Sequence, residues 1–508
     1  MKILLTYPTF PQTFYSFEKI LKLVNRKALQ PPLGLITAAA LLPGEWELKL
    51  VDCNVRSIKE EEWQWAEVVM ISAMIVQKSG FFALIKEAKE RGKPVVVGGP
   101  YPTSLPEEAK AAGADYIIMD EAEVTLPLFL DSFSKGKKQG VFQAGGRRPD
   151  LTTTPVPRFD LLQMDAYDAM SIQFSRGCPF KCEFCDITYL YGREPRTKKP
   201  EQVLMELDYL YDIGWRGSMF IVDDNFIGHK RQAMMLLKKL KTWQAEHRYP
   251  FWFDIQASVD LAGKPEMMRL MKECDFTGVC LGIESLEKES LKKTGKTQNI
   301  TRPLAEVVEK ITRAGLRPMA GFILGFDGEK PGADTRIIEF IEKTAIPTAT
   351  ISLLQALPNT ALRQRLEREG RLLEGDANLN QTTMLNFIPT RPPEEIAAEF
   401  IRAYSELYDP LIFLDRTYRC FLKLAPPVVK TPFTFPSLIE LRAFFIIIWR
   451  QGIKRKTRWK FWHHFFGMIK NNSGVLNHYI SVCAHIEHYL EYRKTVKQEI
   501  ETQLKTNR

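Results

Sequence analysis

The run Ser175-Arg176-Gly177-Cys178-Pro179-Phe180-Lys181-Cys182-Glu183-Phe184-Cys185-Asp186 puts three thiols within eight residues, at C-x3-C-x2-C spacing, with an aromatic residue immediately before the last. Thiolate sulfur is the soft ligand that iron–sulfur clusters and zinc prefer. Three ligands leave a tetrahedral zinc or a four-iron cluster one short, and the nearest histidine downstream is His229. A structural zinc site is normally closed by a fourth Cys or His at short spacing. An iron left open to a substrate is the stronger reading, and a zinc knuckle is the alternative. The run follows Met170-Ser171-Ile172-Gln173-Phe174, which reads as a strand. The loop therefore belongs at a strand end.

Upstream, residues 1–145 alternate short apolar runs with helical stretches. Ile3-Leu4-Leu5, Leu48-Lys49-Leu50-Val51, Val68-Val69-Met70-Ile71, Val95-Val96-Val97 and Tyr116-Ile117-Ile118-Met119 are near-continuous, as parallel strands buried on both faces should be. With helical pieces at 81–91 and 107–112, they predict an α/β, doubly wound, Rossmann-like domain. Ligands of such sheets sit beyond the carboxyl ends of the strands. Those ends carry Asp52, Ser72-Ala73, Gly98-Gly99-Pro100 and Asp120-Glu121-Ala122-Glu123. A dinucleotide site fails on its motif, because the turn Tyr7-Pro8-Thr9-Phe10-Pro11 contains no G-x-G-x-x-G.

Residues 146–170, with Pro149, Pro155 and Pro157 among polar residues, read as a linker. From 171 to 385, strands at 219–222, 251–255, 279–283, 318–324 and 348–353 follow the first, with helices at 202–212, 231–246, 264–274, 303–314 and 335–345. Six β/α units predict a partial (β/α)6 barrel, open on one side, with its chemistry at the C-terminal strand ends. Those ends hold Asp223-Asp224-Asn225-Phe226, Gln256 and Glu284-Ser285. A strand-end acid or amide equally serves as the cap of the next helix, so residue type leaves both uses open. Residues 386–508 read as a helical, basic domain with helices at 393–408, 437–449, 458–468 and 475–492. A break falls at Pro426-Pro427, Pro432 and Pro436.

A chain of 508 residues exceeds one core, and about 100–200 residues per domain suggests three units. The N-terminus has one positive charge and an apolar run too short for a signal peptide. No stretch approaches the ~18–20 apolar residues of a membrane span. Cys53, Cys274, Cys280, Cys420 and Cys483 are scattered without a disulfide pattern, which fits a reducing cytoplasm. The net charge of +9 is concentrated at 411–508, where 17 Lys/Arg face 6 Asp/Glu. Lys454-Arg455-Lys456 and Arg458 stand beside Trp449, Trp459, Phe461, Trp462, Phe465 and Phe466. That composition suits a peripheral membrane helix, or aromatics packing the helical domain against the barrel mouth. Five of the seven histidines, at 463, 464, 478, 485 and 488, also fall here. Without an interleaved Glu of the zincin kind they read as surface or core residues.

Cys178, Cys182 and Cys185, with Phe184, resemble the cluster loop of the radical S-adenosylmethionine (SAM) superfamily. The resemblance implies a [4Fe-4S] cluster whose fourth iron binds the amino and carboxylate groups of SAM, and whose electron cleaves it to a 5′-deoxyadenosyl radical. It implies SAM contacts at Asp223, Asp224, Asn225, Glu284 and Ser285, where carboxylates and amides suit an ammonium and two hydroxyls. Gly325, in Gly321-Phe322-Ile323-Leu324-Gly325-Phe326, resembles part of the adenine-binding fifth strand. Residues 1–145 resemble the cobalamin-binding domain that precedes the barrel in one branch. Pro31-Pro32-Leu33-Gly34-Leu35, Ile71-Ser72-Ala73-Met74, Gly98-Gly99-Pro100 and Glu121-Ala122-Glu123 stand in the expected order. Ser72, Met74, Gly98, Gly99, Pro100 and Glu123 are the implied cobalamin contacts. One departure matters: where many cobalamin domains read D-x-H-x-x-G, this chain reads Asp52-Cys53-Asn54-Val55-Arg56-Ser57, and no histidine precedes His229. Bound cobalamin is then expected base-off, with no protein histidine on cobalt.

The resemblance covers nearly the whole chain and is strongest to the bacterial group that includes the hopanoid methylase. It implies an enzyme, a radical C-methyltransferase. In that group one SAM remethylates cobalamin. A second yields the radical that removes hydrogen from an unactivated carbon of a hydrophobic, hopanoid-like lipid, and the substrate radical takes methyl from methylcobalamin. Such a carbon needs no general base, in keeping with the lack of a His/Asp or Ser/His pattern at the strand ends. Cyclisation, oxidation or rearrangement with the same cofactors is the alternative. An RNA-modifying enzyme is disfavoured because methylthiotransferase-type modifiers end in a small β domain, so no nucleic-acid partner is expected. A non-enzymatic sensor is disfavoured by the SAM-type strand ends. The implied partners are a small-molecule substrate and an electron donor such as flavodoxin or ferredoxin. The expected location is the cytoplasm, with a peripheral contact at the inner membrane face if the basic tail is a membrane helix and none if its aromatics pack on the barrel mouth.

Overall fold

The computed structural model describes residues 1–373, 379–429 and 437–506. The first apolar runs pair into an all-parallel sheet of β1 (Lys2–Tyr7), β2 (Glu47–Asp52), β3 (Val68–Ser72), β4 (Val95–Gly98), β5 (Tyr116–Ile118) and β6 (Gly140–Phe142). Its order is β2-β1-β3-β4-β5-β6. Ile3, Leu4 and Leu5 are all buried although successive side chains point to opposite faces, because each face carries its own apolar cluster. The order reverses between β1 and β3, the topological switch point where sheets of this type hold ligands. β6 was not among the expected strands. It is an edge strand with partly exposed side chains, so it lacks the continuous apolar signature.

The second sheet is built from β7 (Ala169–Ile172), β10 (Gly217–Ile221), β11 (Phe251–Ala257), β12 (Phe276–Glu284), β13 (Arg317–Leu324) and β14 (Thr348–Leu353), in the order β14-β13-β12-β11-β10-β7. Between β7 and β10 a short antiparallel pair, β8 (Ser175–Arg176) and β9 (Arg196–Thr197), brackets the cysteine loop. Helices Pro200–Asp212, Lys230–Glu246, Pro265–Glu273, Leu304–Arg313 and Ala333–Thr344 alternate with the strands. On β12 the alternation is plain: Val279, Leu281 and Ile283 are buried toward the helices, while Cys280, Gly282 and Glu284 are half-buried on the lumen side.

A six-stranded open barrel leaves two strand edges, and unpaired edges invite wrong pairing. Both are covered. At β14, the Tyr408 hydroxyl accepts from Ala349 N at 3.0 Å and donates to Ala349 O at 2.5 Å, and the Tyr404 hydroxyl accepts from Ile351 N at 3.2 Å and donates to Ile351 O at 2.8 Å. Two phenols one helical turn apart thus serve alternate residues of the strand. At the other edge, residues 27–29 run beside the lead-in to β7, with Asp168 N and Ala169 N donating to Ala28 O and Leu29 O at 3.1 and 2.9 Å.

The tail is helical, with helices Ala361–Arg368, Pro393–Leu407, Pro410–Lys423, Leu438–Ile447, Arg458–Asn472, Leu476–Ala484 and Ile486–Thr506, and a π-helical stretch Ile448–Lys454. Helix Pro410–Lys423 is additional to those expected: Asp409-Pro410 looks like a breaker, yet Asp409 caps the helix and Pro410 occupies its first turn. The helix expected at 475–492 is two, divided at His485. Of the expected break, Pro432 and Pro436 lie outside the described residues. Helix Ile486–Thr506 returns to the start of the chain, where Phe14 stacks on Tyr489 at 4.7 Å and His488 Nε2 meets Thr13 O at 3.1 Å. One core accordingly joins residues 14–36, the barrel and the tail. Among the described residues no helix is long and apolar enough to cross a membrane.

Candidate active site

The cysteine loop leaves β8 with Cys178, Cys182 and Cys185 half-buried, and it is held from three sides. From the end of β10, Asp223 accepts hydrogen bonds from Phe174 N, Ser175 N and Ser175 Oγ at 2.7, 2.9 and 2.7 Å, and Asp224 accepts from Gly177 N at 2.8 Å. Burial pushes Asp223 up to about 7 against the opposing pull of those donors, and Asp224 up to about 6. Gly177 has φ +95°, and a Cβ there would stand 2.8 Å from Glu194 O, so the entry to the loop requires glycine. From helix Ala361–Arg368, Arg365 grips Glu183 with two hydrogen bonds of 2.9 and 3.1 Å and reaches Asp327 at 2.8 Å. From the end of the short helix Lys288–Lys293 that follows β12, Thr294 O accepts from Glu183 N at 2.9 Å.

Gln298 Nε2 lies 3.9 Å from the Cys182 sulfur, and the backbone N–H groups of Phe180 and Ile187 pull the Cys178 and Cys185 thiols down against burial. Burial raises all three thiols, Cys185 to about 12. Their charges weigh on one another, yet among the described residues no three His, Cys, Asp or Glu side chains converge as a metal site. The donor set itself fits a cluster: three soft sulfurs, N–H groups that favour their charged form, and the cation of Lys296 acting on Cys182 and Cys185.

Across the lumen, Glu284 ends β12 with φ +64° and pairs with Lys296 Nζ at 2.9 Å. Burial disfavours the lysine charge, but Glu284 and Cys182 outweigh it and raise Lys296 above its ordinary value. Gly282 lies beneath this pair. A Cβ there would stand 2.4 Å from Glu284 Oε1, so the missing side chain is what leaves room for the pair. The other predicted strand-end residues are engaged within the protein. Asn225 Oδ1 accepts from Ser258 N at 3.2 Å, tying the end of β10 to that of β11, and Ser285 Oγ accepts from Glu287 N at 3.1 Å. Gly325 N donates to Glu329 at 3.0 Å, and Phe184 packs against Phe326 with ring centres 5.6 Å apart. The structure thus brings Asp223, Asp224, Asn225, Glu284 and Ser285 to one end of the barrel around the cysteines. Sequence reasoning passed over Lys296, which lies twelve residues beyond Glu284 in no local pattern.

At the first sheet, Ser72, Met74, Gly98, Gly99 and Pro100 gather at the ends of β3 and β4. Gly99 has φ +94°, and a Cβ on it would lie 2.7 Å from Ser72 Oγ. Met74 is 44% exposed beside them, an open shelf at the switch-point side of the sheet. Asn54, standing where a cobalt-binding histidine is found in many cobalamin domains, is fully engaged: Nδ2 donates to Pro8 O and Asp52 Oδ1 at 3.0 and 2.7 Å, and Oδ1 accepts from Phe10 N at 2.7 Å. The shelf and the absent imidazole fit a large flat cofactor held by strand ends. Glu123 is used differently. It pairs with Arg176 at 2.8 Å, while Glu121 pairs with Arg176 at 2.9 Å and Arg196 at 2.8 Å. Burial works to raise Glu123, but Arg176 holds it below the usual carboxylate range. Arg176 thereby joins the end of β5 to the cysteine loop. Its one signal in the sequence was a cation directly before Gly177-Cys178.

Family models match three consecutive stretches: a B12 binding domain at residues 21–130, the Radical SAM superfamily at 172–341, and a domain of unknown function (DUF4070) at 360–502. An uncharacterized methyltransferase of Synechocystis sp. is 61% identical over 506 residues, which cover 99% of this chain and 94% of that one. The hopanoid C-2 methylase of Rhodopseudomonas palustris is 33% identical, covering 97% and 94%. The chain belongs to the cobalamin-dependent radical SAM methyltransferases. Solved structures share the fold. The cobalamin-dependent SAM radical enzyme OxsB, with aqua-cobalamin and SAM bound, superposes with a TM-score of 0.61 at 17% identity over 100% of this chain and 81% of its own. The radical SAM methyltransferase TsrM from Kitasatospora setae, with cobalamin and a [4Fe-4S] cluster bound, gives 0.60 at 14% over 97% and 99%. The chain thus carries a B12 binding domain and a radical SAM domain, and Glu121, Glu123 and Arg176 connect the first with the loop that carries the three cysteines.

Proposed function

We propose that this enzyme places a methyl group on an unactivated carbon of a hydrophobic, hopanoid-like lipid, using base-off cobalamin without a histidine ligand. The observation that carries the reading is the Glu121/Glu123–Arg176 junction, which sets the cobalamin-type strand ends against the cysteine loop. When bound, the cluster supplies the electron that cleaves SAM, and cobalamin carries the methyl group. The chain does the positioning. Cys178, Cys182 and Cys185 hold the cluster. Lys296 and Glu284, an opposite pair facing the lumen, are suited to the carboxylate and ammonium of SAM, with Asp224 beside Gly177 and Gly325 on the adenine side. Ser72, Met74, Gly98, Gly99 and Pro100 form the cobalamin shelf. Asn54 is committed to Pro8, Phe10 and Asp52, so it would not be free to take the place of the missing histidine.

Phe220, Met319 and Ile323 alternate onto the lumen side of β10 and β13, which suits an apolar substrate. The similarity to a hopanoid C-2 methylase points to the same class. The exposed Lys181 beside Cys182 suits docking of a small electron carrier such as flavodoxin or ferredoxin. Incubation of the reconstituted enzyme with methyl-deuterated SAM and total lipid extract, read by mass spectrometry, should give a labelled lipid with both S-adenosylhomocysteine and 5′-deoxyadenosine. Deoxyadenosine alone would rule methylation out in favour of cyclisation, oxidation or rearrangement.

A further inference from the structure

Residues 438–472 carry eight Lys/Arg and one Asp/Glu, and they leave several bulky apolar side chains in solvent. Leu438, Leu441, Phe445 and Trp449 recur at three- and four-residue steps and are 85%, 37%, 63% and 58% exposed. The neighbouring helix Arg458–Asn472 exposes Trp459 and Phe466, seven residues apart, at 76% and 61%. The inward side of the same segment is packed: Phe461 is buried, and Trp462 Nε1 donates to Gly452 O at 2.9 Å. The aromatics therefore divide between an internal face and an external one.

The cations divide as well. Arg450 and Arg455 are held by Glu487 at 3.0 Å or less, and Lys460 lies 3.2 Å from Asp415. Arg442, Lys454, Lys456, Arg458 and Lys470 are exposed and, among the described residues, have no ion-pair partner. Glu440, the single acid of the stretch, is spent in a capping box with Ser437. Exposed bulky apolar side chains set among unpaired cations are complementary to a bilayer whose surface is anionic and whose interior is apolar. A second copy of the chain would set these cations against their like, and RNA would leave Leu438, Leu441 and Phe445 in water.

We infer that the surface formed by helices Leu438–Ile447 and Arg458–Asn472, with the π-helical stretch between them, docks on an anionic lipid membrane. The inference rests on the lipid-substrate reading only for its purpose, since vesicle binding requires no turnover. At low salt the cofactor-loaded enzyme floats with phosphatidylglycerol/phosphatidylcholine vesicles and not with phosphatidylcholine alone, and high salt releases it. Combined Lys454→Gln, Lys456→Gln and Arg458→Gln weaken flotation about a hundredfold at ~1 kcal/mol per cation. Combined Phe445→Ser, Trp449→Ser and Trp459→Ser, all at exposed positions, also abolish it. Both variants retain SAM cleavage in detergent, which shows that they are folded. The inference is overturned if the wild type is absent from both vesicles at low salt, if it binds both equally, or if neither variant changes flotation. Competition of binding by single-stranded RNA with the serine variant unaffected would assign the surface to nucleic acid. Self-association lost in the serine variant without vesicle binding would assign it to a second copy. A lipid product without flotation, or flotation without a lipid product, separates this inference from the methylation reading.

Discussion

Asp223 accepts three hydrogen bonds at the entrance to the cysteine loop while only 1% exposed to solvent. Its folded-state pKa of about 7 lies above the ordinary 3.8, so the protonated form contributes stability that is fully present below pH 4 and is lost as pH rises through 7. An amide in place of this carboxyl would stay neutral with nearly the same shape. The stability of Asp223→Asn relative to wild type, from urea unfolding, should therefore grow between pH 4 and pH 7 by about 4 kcal/mol; a pH-independent difference would show that Asp223 is ionised throughout. Cys182 tests the cluster directly. Cys182→Ala should lose bound iron and sulfide after anaerobic reconstitution and lose SAM cleavage with them, and cleavage retained by the variant would sink the ligand assignment. Gly99 tests the cobalamin shelf. A methyl group 2.7 Å from Ser72 Oγ, on a backbone at φ +94°, costs on the order of 1–3 kcal/mol and displaces the turn. Gly99→Ala should show weaker cobalamin retention on gel filtration than wild type.

At the scale of elements, the free edge of β14 is held by phenol hydroxyls where another strand would otherwise be needed. Tyr408→Phe removes one oxygen and leaves Ala349 N and O without their partner in a buried place. The cost should be about 1–3 kcal/mol in urea unfolding, with faster amide exchange at Ala349. An unchanged exchange rate at that amide would show that another group serves the edge. This device explains why the two sheets were legible and their closure was not. Continuous runs such as Val95-Val96-Val97 announce buried parallel strands wherever they occur, and the strand expected at 279–283 placed Glu284 at its end. The pairing of Tyr404 and Tyr408 with Ala349 and Ile351 joins residues 53 to 59 positions apart and follows no period. Lys296 and Arg176 escaped for the same reason: a cation declares its role through the acid it meets, and Glu284, Glu121 and Glu123 meet theirs only after folding. Helix Pro410–Lys423 was hidden by a proline that starts the helix.

Over the whole molecule, the first domain is coupled to the cysteine loop through buried charge. Removing one partner of such a pair strands the others and costs about 3–5 kcal/mol. Arg176→Met should leave Glu121 and Glu123 short of cations, weaken cobalamin retention and cluster content together, and separate the unfolding of the first sheet from that of the barrel in calorimetry. Loss of cluster alone, with cobalamin retention unchanged, would show that Arg176 serves the loop and not the junction. The long reach of helix Ile486–Thr506 back to Phe14 and Thr13 has a consequence for biosynthesis. A ribosome delivers this helix after every strand of both sheets, at about 5–20 residues per second. Until it arrives, Phe14 lacks its ring partners Tyr489 and Tyr492. The core that residues 14–36 share with the barrel and the tail is thus completed only after helix Ile486–Thr506 is made, so the two ends of the chain lock each other last.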